Sequence, residues 1–199
     1  MSGEREVGSN GQRGSILTKW FVLMGLIFGL ALFMGCADVK VKVHRHLYKA
    51  QLPPSLTAVY NGKHIDVQSF INKDQKTRIW TYYSPDRKVA YETSVPLEYY
   101  LMDCFRDAFW MAGMSVVRDS PNPKIPDMLL VIDQWTDMEL KFTVTVTQDN
   151  ALKYKNQYAV MMPSVARGDK AGLEKNAYEM TNKAIVAVMA DTKFQDCFK

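Results

Sequence analysis

The chain has few of the features that usually mark enzymes, metal sites or membrane spans. Only three cysteines and three histidines occur among its 199 residues, and it contains neither a G-x-S-x-G elbow nor a glycine-rich phosphate loop. Its longest apolar run, residues 20–34, is shorter than the ~20 residues that an α-helix needs to cross a bilayer. The net charge is only +4 and the basic residues are dispersed, so we expect no nucleic-acid partner.

The apolar run has the flanks of a secretory signal. A polar segment with Arg5, Arg13 and Lys19 precedes it, and small residues follow it. The run ends in residues 33–36, FMGC, which resemble the lipobox of bacterial lipoproteins. The match consists of an apolar residue at position −3, a small residue at −1 and then Cys36. The phenylalanine at −3 differs from the usual leucine of that motif.

The lipobox resemblance implies that Cys36 is acylated and becomes the mature amino terminus. Several acyl chains, at ~0.8 kcal/mol for each buried CH₂ group, make a durable anchor in membrane lipid. Ala37 follows Cys36 in place of the aspartate that favours inner-membrane retention, so the outer membrane is favoured and inner-membrane anchoring is the alternative. An uncleaved signal anchor, or an ordinary signal peptide with Cys36 merely nearby, are the other interpretations.

The length suits one domain after the leader. We expect a lipoprotein signal peptide over residues 1–35 and an acylated anchor with a first strand or linker over 36–54. A single α+β domain facing the periplasm is expected over 55–199.

Apolar and polar residues alternate over several segments and predict strands. Residues 55–59 and 65–71 are predicted to form a hairpin, because Asn61 and Gly62 between them give a strong turn signal. The run 38–47 and the segment 128–135, which is predicted to be a central strand covered on both faces, are two further strands. The remaining predicted strands are 77–83, 89–93, 114–117, 140–146 and 152–162.

Two amphipathic helices complete the pattern. Pro96 is predicted to open the first, which Gly113 ends, and Asp169 is predicted to cap the second. The predicted fold class is therefore α+β, a mostly antiparallel sheet with two amphipathic helices packed against it.

Cys104 and Cys197 form a candidate disulfide, since an exported protein meets an oxidising compartment. The alternative is two separate thiols, with Cys104 buried as a small apolar side chain.

Residues that could carry chemistry are sparse. His44 and His46 lie two positions apart on a predicted strand and could share a metal, but the local sequence offers no third ligand. Asp103 and Asp107 have the spacing of a solvated helix face. We therefore predict no catalytic residue, no metal and no cofactor.

Aromatic residues are unusually dense over positions 80–110, too many for one small core. The candidate interface residues are Tyr99, Met102, Phe109 and Trp110. The alternative is that the amino-terminal strands cover them.

Four segments carry a resemblance in pattern that covers most of residues 50–192. They are Leu-Pro-Pro-Ser-Leu at 52–56, Ala-Gly-Met at 112–114, the aspartate-led strand at 127–131 and the amphipathic last helix. Together with the anchor, this order resembles a group of small envelope lipoproteins: the YajG-type lipoproteins, the auxiliary lipoproteins of ABC-type lipid transport systems and the lipoprotein that plugs the lipopolysaccharide assembly barrel.

The resemblance implies a non-enzymatic accessory subunit of an envelope transport or lipid-trafficking complex. Its expected partners are membrane lipid, through acylated Cys36, and other envelope proteins, and self-association is left open. One alternative is a structural subunit of a secretion, pilus or flagellar machine. Another is an anchored hydrolase, which would require a titratable pair lining a concave pocket.

Overall fold

The computed structural model describes residues 39–73, 81–83, 89–136, 138–166 and 168–199. All of these lie within one compact unit, Asp38–Lys199. The predicted leader and Cys36 lie outside the described residues, as do residues 77–80 of the predicted strand 77–83. Residues 81–83, the last three of that predicted strand, do form a strand.

Eight strands and four α-helices make up the described domain. The strands are β1 (Val39–Val43), β2 (His64–Asn72), β3 (Thr81–Tyr83), β4 (Val89–Thr93), β5 (Ser115–Val117), β6 (Asp127–Trp135), β7 (Glu139–Gln148) and β8 (Ala151–Met161). The helices are α1 (Pro54–Tyr60), α2 (Leu97–Met111), α3 (Lys170–Ala190) and α4 (Thr192–Asp196), and a 3-10 turn covers Arg45–Leu47.

The strands form two sheets. The larger has the order β5-β2-β6-β7-β8, with β2 parallel to both β5 and β6 and with antiparallel pairing from β6 through β8. The smaller has the order β1-β4-β3, in which β1 is parallel to β4 and β3 is antiparallel to it. The predicted α+β class is confirmed, and the larger sheet is mixed because β2 enters it in parallel.

Strand β7 shows most directly how the sequence builds the core. Its apolar residues Leu140, Phe142, Val144 and Val146 are all fully buried, while the residues between them are half-buried. Because successive side chains in a strand point to opposite faces, this alternation fixes which side of the sheet carries the core. The pattern in β6 is similar: one face is buried and the other half-buried. The predicted central position of β6 is confirmed, but only one of its faces is fully buried and the other is partly covered.

The predicted hairpin over 55–71 is also wrong. Residues 54–60 form helix α1, with Pro54 in its first turn, where a missing N–H costs nothing. Gly62, at φ +74°, then turns the chain into β2, which pairs in parallel with β5 and β6. Buried Leu56 and Tyr60 lie four positions apart on one side of α1. Residues four positions apart also share one face of a strand, so this short segment fits either structure.

The two predicted helices are confirmed. Helix α2 follows Pro96, has Glu98 in its first turn and ends just before Gly113, which has φ +84°. Helix α3 begins after Asp169, whose Oδ1 accepts a 2.9 Å hydrogen bond from the Gly172 amide. The short helix α4 was not predicted.

The segment 39–54 belongs to the folded domain. Strand β1 pairs with β4 along its whole length, and four side chains of the segment are buried: Val41, Val43, Tyr48 and Ala50. The domain therefore begins upstream of the predicted boundary at residue 55. The predicted strand 38–47 is correspondingly shorter and ends at Val43.

Candidate interaction site

Helix α2 carries the candidate interface, and its inner face fixes how the helix sits. It packs against β2, β5 and α3. Leu101, Cys104, Phe105 and Ala108 are fully buried, and the Phe105 ring lies edge-on to Phe70 of β2 at 5.5 Å. A helix that buries one stripe this completely must present the opposite stripe outward.

Tyr99 and Trp110 occupy that outward stripe. Their side chains are 52% and 73% exposed, and Met111 beside Trp110 is also exposed. Eleven residues at 100° each bring Tyr99 and Trp110 to nearly the same side of the helix, about 16 Å apart along its axis. We call Tyr99, Trp110 and Met111 the outer α2 surface.

Two of the four candidate interface residues are not on this surface. Met102 is buried, and Phe109 is fully buried with its ring stacked on Phe194 of α4 at 6.2 Å. Both were predicted to be exposed because an ordinary amphipathic helix is covered on one side only. Since α2 is covered by the larger sheet and by α3 and α4, its buried arc is wider than the amphipathic pattern indicates.

Charged residues lie between the two exposed aromatics. Asp103 and Arg106 are 3.6 Å apart, and the Arg106 guanidinium also donates to Val67 O of β2. Arg45, from the 3-10 turn, pairs with Asp107 and donates to Asp103 O at 3.1 Å. The Asp103 and Asp107 carboxylates remain well exposed although each is paired with an arginine, so ion pairs lie between the aromatic residues of the outer α2 surface.

A groove separates the segment 47–51 from α3 and has a volume of about 520 Å³. Asn182 closes one side by accepting from the Gln51 amide at 2.7 Å and donating to Gln51 O at 3.2 Å. Lys49 and Lys183 line the groove, as do Lys175 and Glu179, which pair at 3.5 Å. The groove therefore has an excess of positive charge.

Hydrogen bonds to Asp191 fasten β8 to the junction of α3 and α4. Its Oδ2 accepts from the Tyr154 and Tyr158 hydroxyls at 2.6 and 2.9 Å and from Asn156 Nδ2 at 3.1 Å. Its Oδ1 accepts from the Lys193 amide at 2.9 Å and so caps α4.

These contacts shift the ionisation of the groups involved. Burial raises the pKa of the Asp191 carboxyl, but the hydrogen bonds from Tyr154, Tyr158, Asn156 and the Lys193 amide outweigh burial and hold that pKa below its ordinary value. Burial raises the pKa of Tyr158 to about 12. The cluster is therefore an ionised carboxylate held by neutral phenols.

The disulfide between Cys104 and Cys197 is not present, since both cysteines are free thiols. Cys104 is buried in α2, and burial raises the pKa of its thiol to about 12. Cys197 is half-buried at the end of α4, and its Sγ lies 3.7 Å from Lys193 O. The two thiols therefore lie in separate surroundings, one in α2 and one at the end of α4. Neither has the lowered pKa of a reactive cysteine.

His44 and His46 do not share a strand face. The chain leaves β1 at Val43, and the two imidazoles stand 5.4 Å apart around the 3-10 turn. Within the ranges that the structure describes, no three His, Cys, Asp or Glu side chains are grouped closely enough to hold a metal ion by themselves.

A pair of carboxylates does line a concave pocket, the feature that the hydrolase alternative requires. Asp66 and Asp127 border a cavity of about 170 Å³. Organic ligands usually occupy pockets of ~300–1,000 Å³, so this cavity suits an ion and its water better than a substrate.

Comparison with solved structures identifies a protein with the same fold. No protein-family model and no curated protein matches the chain. A Xanthomonas campestris protein of the DUF330 family has a solved structure that matches with a TM-score of 0.62 and 10% identity, covering 79% of this chain and 95% of that chain. The described domain shares its fold with this DUF330 protein.

Two further solved structures are more distant. One is described only as an uncharacterized protein and matches with a TM-score of 0.46 and 10% identity, covering 77% of this chain and 97% of that chain. The other is the rare lipoprotein B of Shewanella oneidensis, with a TM-score of 0.34 and 13% identity, covering 63% of this chain and 95% of that chain.

Among the helices that the structure describes, none combines the length and the apolar character needed to span a bilayer. The predicted acylation site at Cys36 precedes the described residues, so it stays a prediction.

Proposed function

We propose that the chain is a lipid-anchored, non-enzymatic accessory subunit of an envelope transport complex, with its domain in the periplasm. The observation that carries the proposal is the lipobox-like sequence at 33–36, whose Cys36 precedes β1 by only three residues. Three residues of extended chain span about 10 Å at most. Acylation of Cys36 would therefore hold the amino-terminal end of β1 close to the bilayer.

The contacts along α3 show the path of the chain after β1. Leaving β1, the chain contacts Tyr178 from His44, then Asn182 from Gln51, and finally the Met189 carbonyl from the Tyr60 hydroxyl. These steps follow α3 from its first half to its carboxyl end. The end of β1, where the chain leaves the smaller sheet, therefore lies against the first half of α3.

Helix α2 runs in the same direction as α3. Tyr100 meets Thr181 and, further along, Phe109 stacks on Phe194 beyond the end of α3. Tyr99 is consequently nearer the end of β1 than Trp110 is.

The outer α2 surface has the composition of a docking site. Exposed Tyr and Trp side chains supply most of the binding energy in many protein interfaces, and the ion-paired charges between them would contribute more to partner choice than to affinity. We assign this surface to an envelope protein, with Tyr99 and Trp110 as its anchors.

Two features support a non-enzymatic role. The carboxylate-lined cavity is smaller than an organic substrate site, and burial raises the pKa of the Cys104 thiol well away from neutral pH. Neither arrangement suits nucleophilic catalysis, which requires an accessible and activated group.

The anchor is tested by fractionating cells that produce the wild type, Cys36→Ser or Cys197→Ser. We expect the wild type and Cys197→Ser in the outer-membrane fraction with the leader removed, whereas Cys36→Ser is unacylated and keeps its leader. Cys197→Ser is the matched control because it makes the same exchange at a half-buried thiol. Identical processing and fractionation of all three proteins would defeat the proposal.

The docking surface is tested by placing a photo-crosslinking amino acid at Trp110 and, as a control, at Leu152, which is 60% exposed on β8. We expect position 110 to give a discrete product containing a transport-complex protein and position 152 to give none. A secretion, pilus or flagellar component in the product would favour the structural-subunit alternative. Equal products from both positions would remove the assignment to α2.

A further inference from the structure

The cavity beside Asp66 is built from two strands that are distant in sequence. Asp66 of β2 and Asp127 of β6 are directly paired in the parallel ladder. The loop between β5 and β6 covers the cavity together with the β7–β8 turn, because the Asp149 amide donates to Pro123 O at 2.6 Å. The result is a polar space of about 170 Å³ with two carboxylates in its wall.

Asp66 is unusual because it is a buried acid with one free oxygen. The residue is 1% exposed. Its Oδ2 accepts a 2.6 Å hydrogen bond from the Ser120 amide, but within the described ranges its Oδ1 has no hydrogen-bond partner. A buried carboxylate oxygen without a partner is costly, so native proteins normally supply a donor or a cation.

The two carboxylates in the wall of the cavity belong to neighbouring positions of the sheet. Asp66 and Asp127 are partners in the parallel ladder and line the same small cavity. Close like charges in a small space favour either a bound proton or a bound cation.

Positive groups near the cavity are already engaged or lie outside it. Arg106 feels the charge of Asp66, but its guanidinium donates to Val67 O and pairs with Asp103. Arg118 is exposed on the covering loop. Lys124 contributes its backbone to the loop, accepting from Gln148 Nε2 and donating to Asn122 Oδ1. Within the described residues, none of these three basic residues therefore hydrogen-bonds the free Oδ1 of Asp66.

We propose that this cavity binds a hard divalent cation, Ca²⁺ or Mg²⁺, between the carboxylates of Asp66 and Asp127. Both ions prefer oxygen ligands, and Mg²⁺ in particular is commonly held by one or two carboxylates while keeping several waters. The cavity has room for those waters, since one water takes about 30 Å³.

Neutral oxygens can complete the shell. The side chains of Gln68, Asn122, Gln148 and Asn150 line the same space. Gln148 donates its Nε2 to Lys124 O, which leaves its Oε1 for a ligand. Because only two carboxylates line the cavity, we expect the weak affinity of extracellular calcium modules, with a dissociation constant of about 10⁻⁴–10⁻³ M.

The cation also has a structural consequence. Asp66 holds the covering loop through Ser120, and its own amide donates to Pro126 O at 2.8 Å. A cation that neutralises Asp66 and Asp127 would fix this loop against the strands. The loop end of the domain would then be ordered by the divalent ion concentration of its compartment.

The test is calorimetric titration of the detergent-solubilised full protein, freed of metal with chelator, with CaCl₂ or MgCl₂ at constant ionic strength. The variants are Asp66→Asn and Asp127→Asn. Asp133→Asn is the matched control, because Asp133 also lies in β6 but accepts from Thr143 Oγ1 at 3.0 Å and does not line the cavity. Urea unfolding with and without cation gives an independent measurement on any variant that folds poorly.

We expect one weak site in the wild type and in Asp133→Asn, at least about tenfold weaker binding in both cavity variants, and a cation-dependent rise of the urea midpoint only where the site is intact. A wild type that shows neither heat nor a shift in midpoint at about 10 mM cation, well above the expected dissociation constant, would overturn the proposal. Binding that survives equally in Asp66→Asn and Asp127→Asn would overturn it as well.

Discussion

Gly113 ends helix α2 in a conformation that few residues adopt, and it does so against another segment of backbone. Its φ is +84°, and a Cβ atom there would lie 2.5 Å from Asn61 Oδ1 and 3.2 Å from Asn61 Cα. Its carbonyl accepts from the Gly62 amide at 2.9 Å. At the segment Ala-Gly-Met, residues 112–114, the end of α2 is therefore in close contact with the residues that follow α1.

Gly113→Ala is expected to destabilise the domain by about 2–4 kcal/mol, because the left-handed backbone costs ~1–2 kcal/mol and the contact with Asn61 adds strain. Gly62→Ala is the matched control. Gly62 also has positive φ, but a Cβ atom added there would meet no atom within 4 Å, so only the backbone cost of about 1–2 kcal/mol applies. Urea unfolding measures both, and equal losses would show that the Asn61 contact is unimportant.

Asp191 joins β8 to α4 through a single carboxylate. Asp191→Ala removes an acceptor for two tyrosines and the cap of α4, so we expect a loss of about 2–3 kcal/mol in urea unfolding near neutral pH. Asp196→Ala is the control, because it removes only the exposed ion pair with Lys199, and we expect it to change stability by no more than about 0.5 kcal/mol.

The same carboxylate gives a pH dependence with a definite sign. The pKa of Asp191 is lowered in the folded state, so its stabilising effect is complete above the ordinary carboxyl pKa of 3.8 and is lost as the pH falls through the folded value. The stability difference between the wild type and Asp191→Asn should therefore shrink in the acid range. A difference that stays constant from neutral pH down to about pH 3 would contradict this account.

At the scale of elements, helix α2 has two faces with different roles. Phe109→Ala should cost about 3–5 kcal/mol because the ring is fully buried against α4. Trp110→Ala and Tyr99→Ala should change stability by no more than about 0.5 kcal/mol, since both side chains are exposed. Urea unfolding of the three variants measures this. A loss for Trp110→Ala as large as that for Phe109→Ala would place the tryptophan in the core and remove the proposed docking surface.

Local periodicity predicted the elements with strong repeats and the short strands β4 and β5, but it failed at residues 54–60 and did not predict α4. The alternation in β7 and the capped helices α2 and α3 are set by neighbours in sequence, so they were predictable. Seven residues at 54–60 are too few to separate a helical from an extended pattern. The parallel entry of β2 between β5 and β6 depends on contacts more than forty residues apart along the chain, which no local pattern records.

In the candidate sites, too, the sequence predicted what depends on local pattern and missed what depends on distant contacts. Tyr99 and Trp110 were predicted to be exposed from the helical stripe alone, whereas the burial of Phe109 depends on α4, a short helix without a strong sequence signal. Asp127 was visible in the sequence as the first residue of an apolar strand. Its pairing with Asp66 was not, because the parallel register that joins them is a product of the whole fold.

At the scale of the whole molecule, the domain is a two-sheet α+β fold shared with the DUF330 protein. Its proposed tether enters at β1, and its exposed aromatic stripe runs along α2. The larger sheet carries α2, which packs on β2, and the smaller sheet holds β1 beside α3. The proposed cation cavity lies at the end of the larger sheet where β2 and β6 begin.

The intact mass of the protein extracted from membranes tests the central claim, that acylated Cys36 anchors the domain. The account predicts a chain without residues 1–35 that carries the added mass of two or three acyl chains, together with two unbridged cysteines. The mass of the unprocessed 199-residue chain would contradict it.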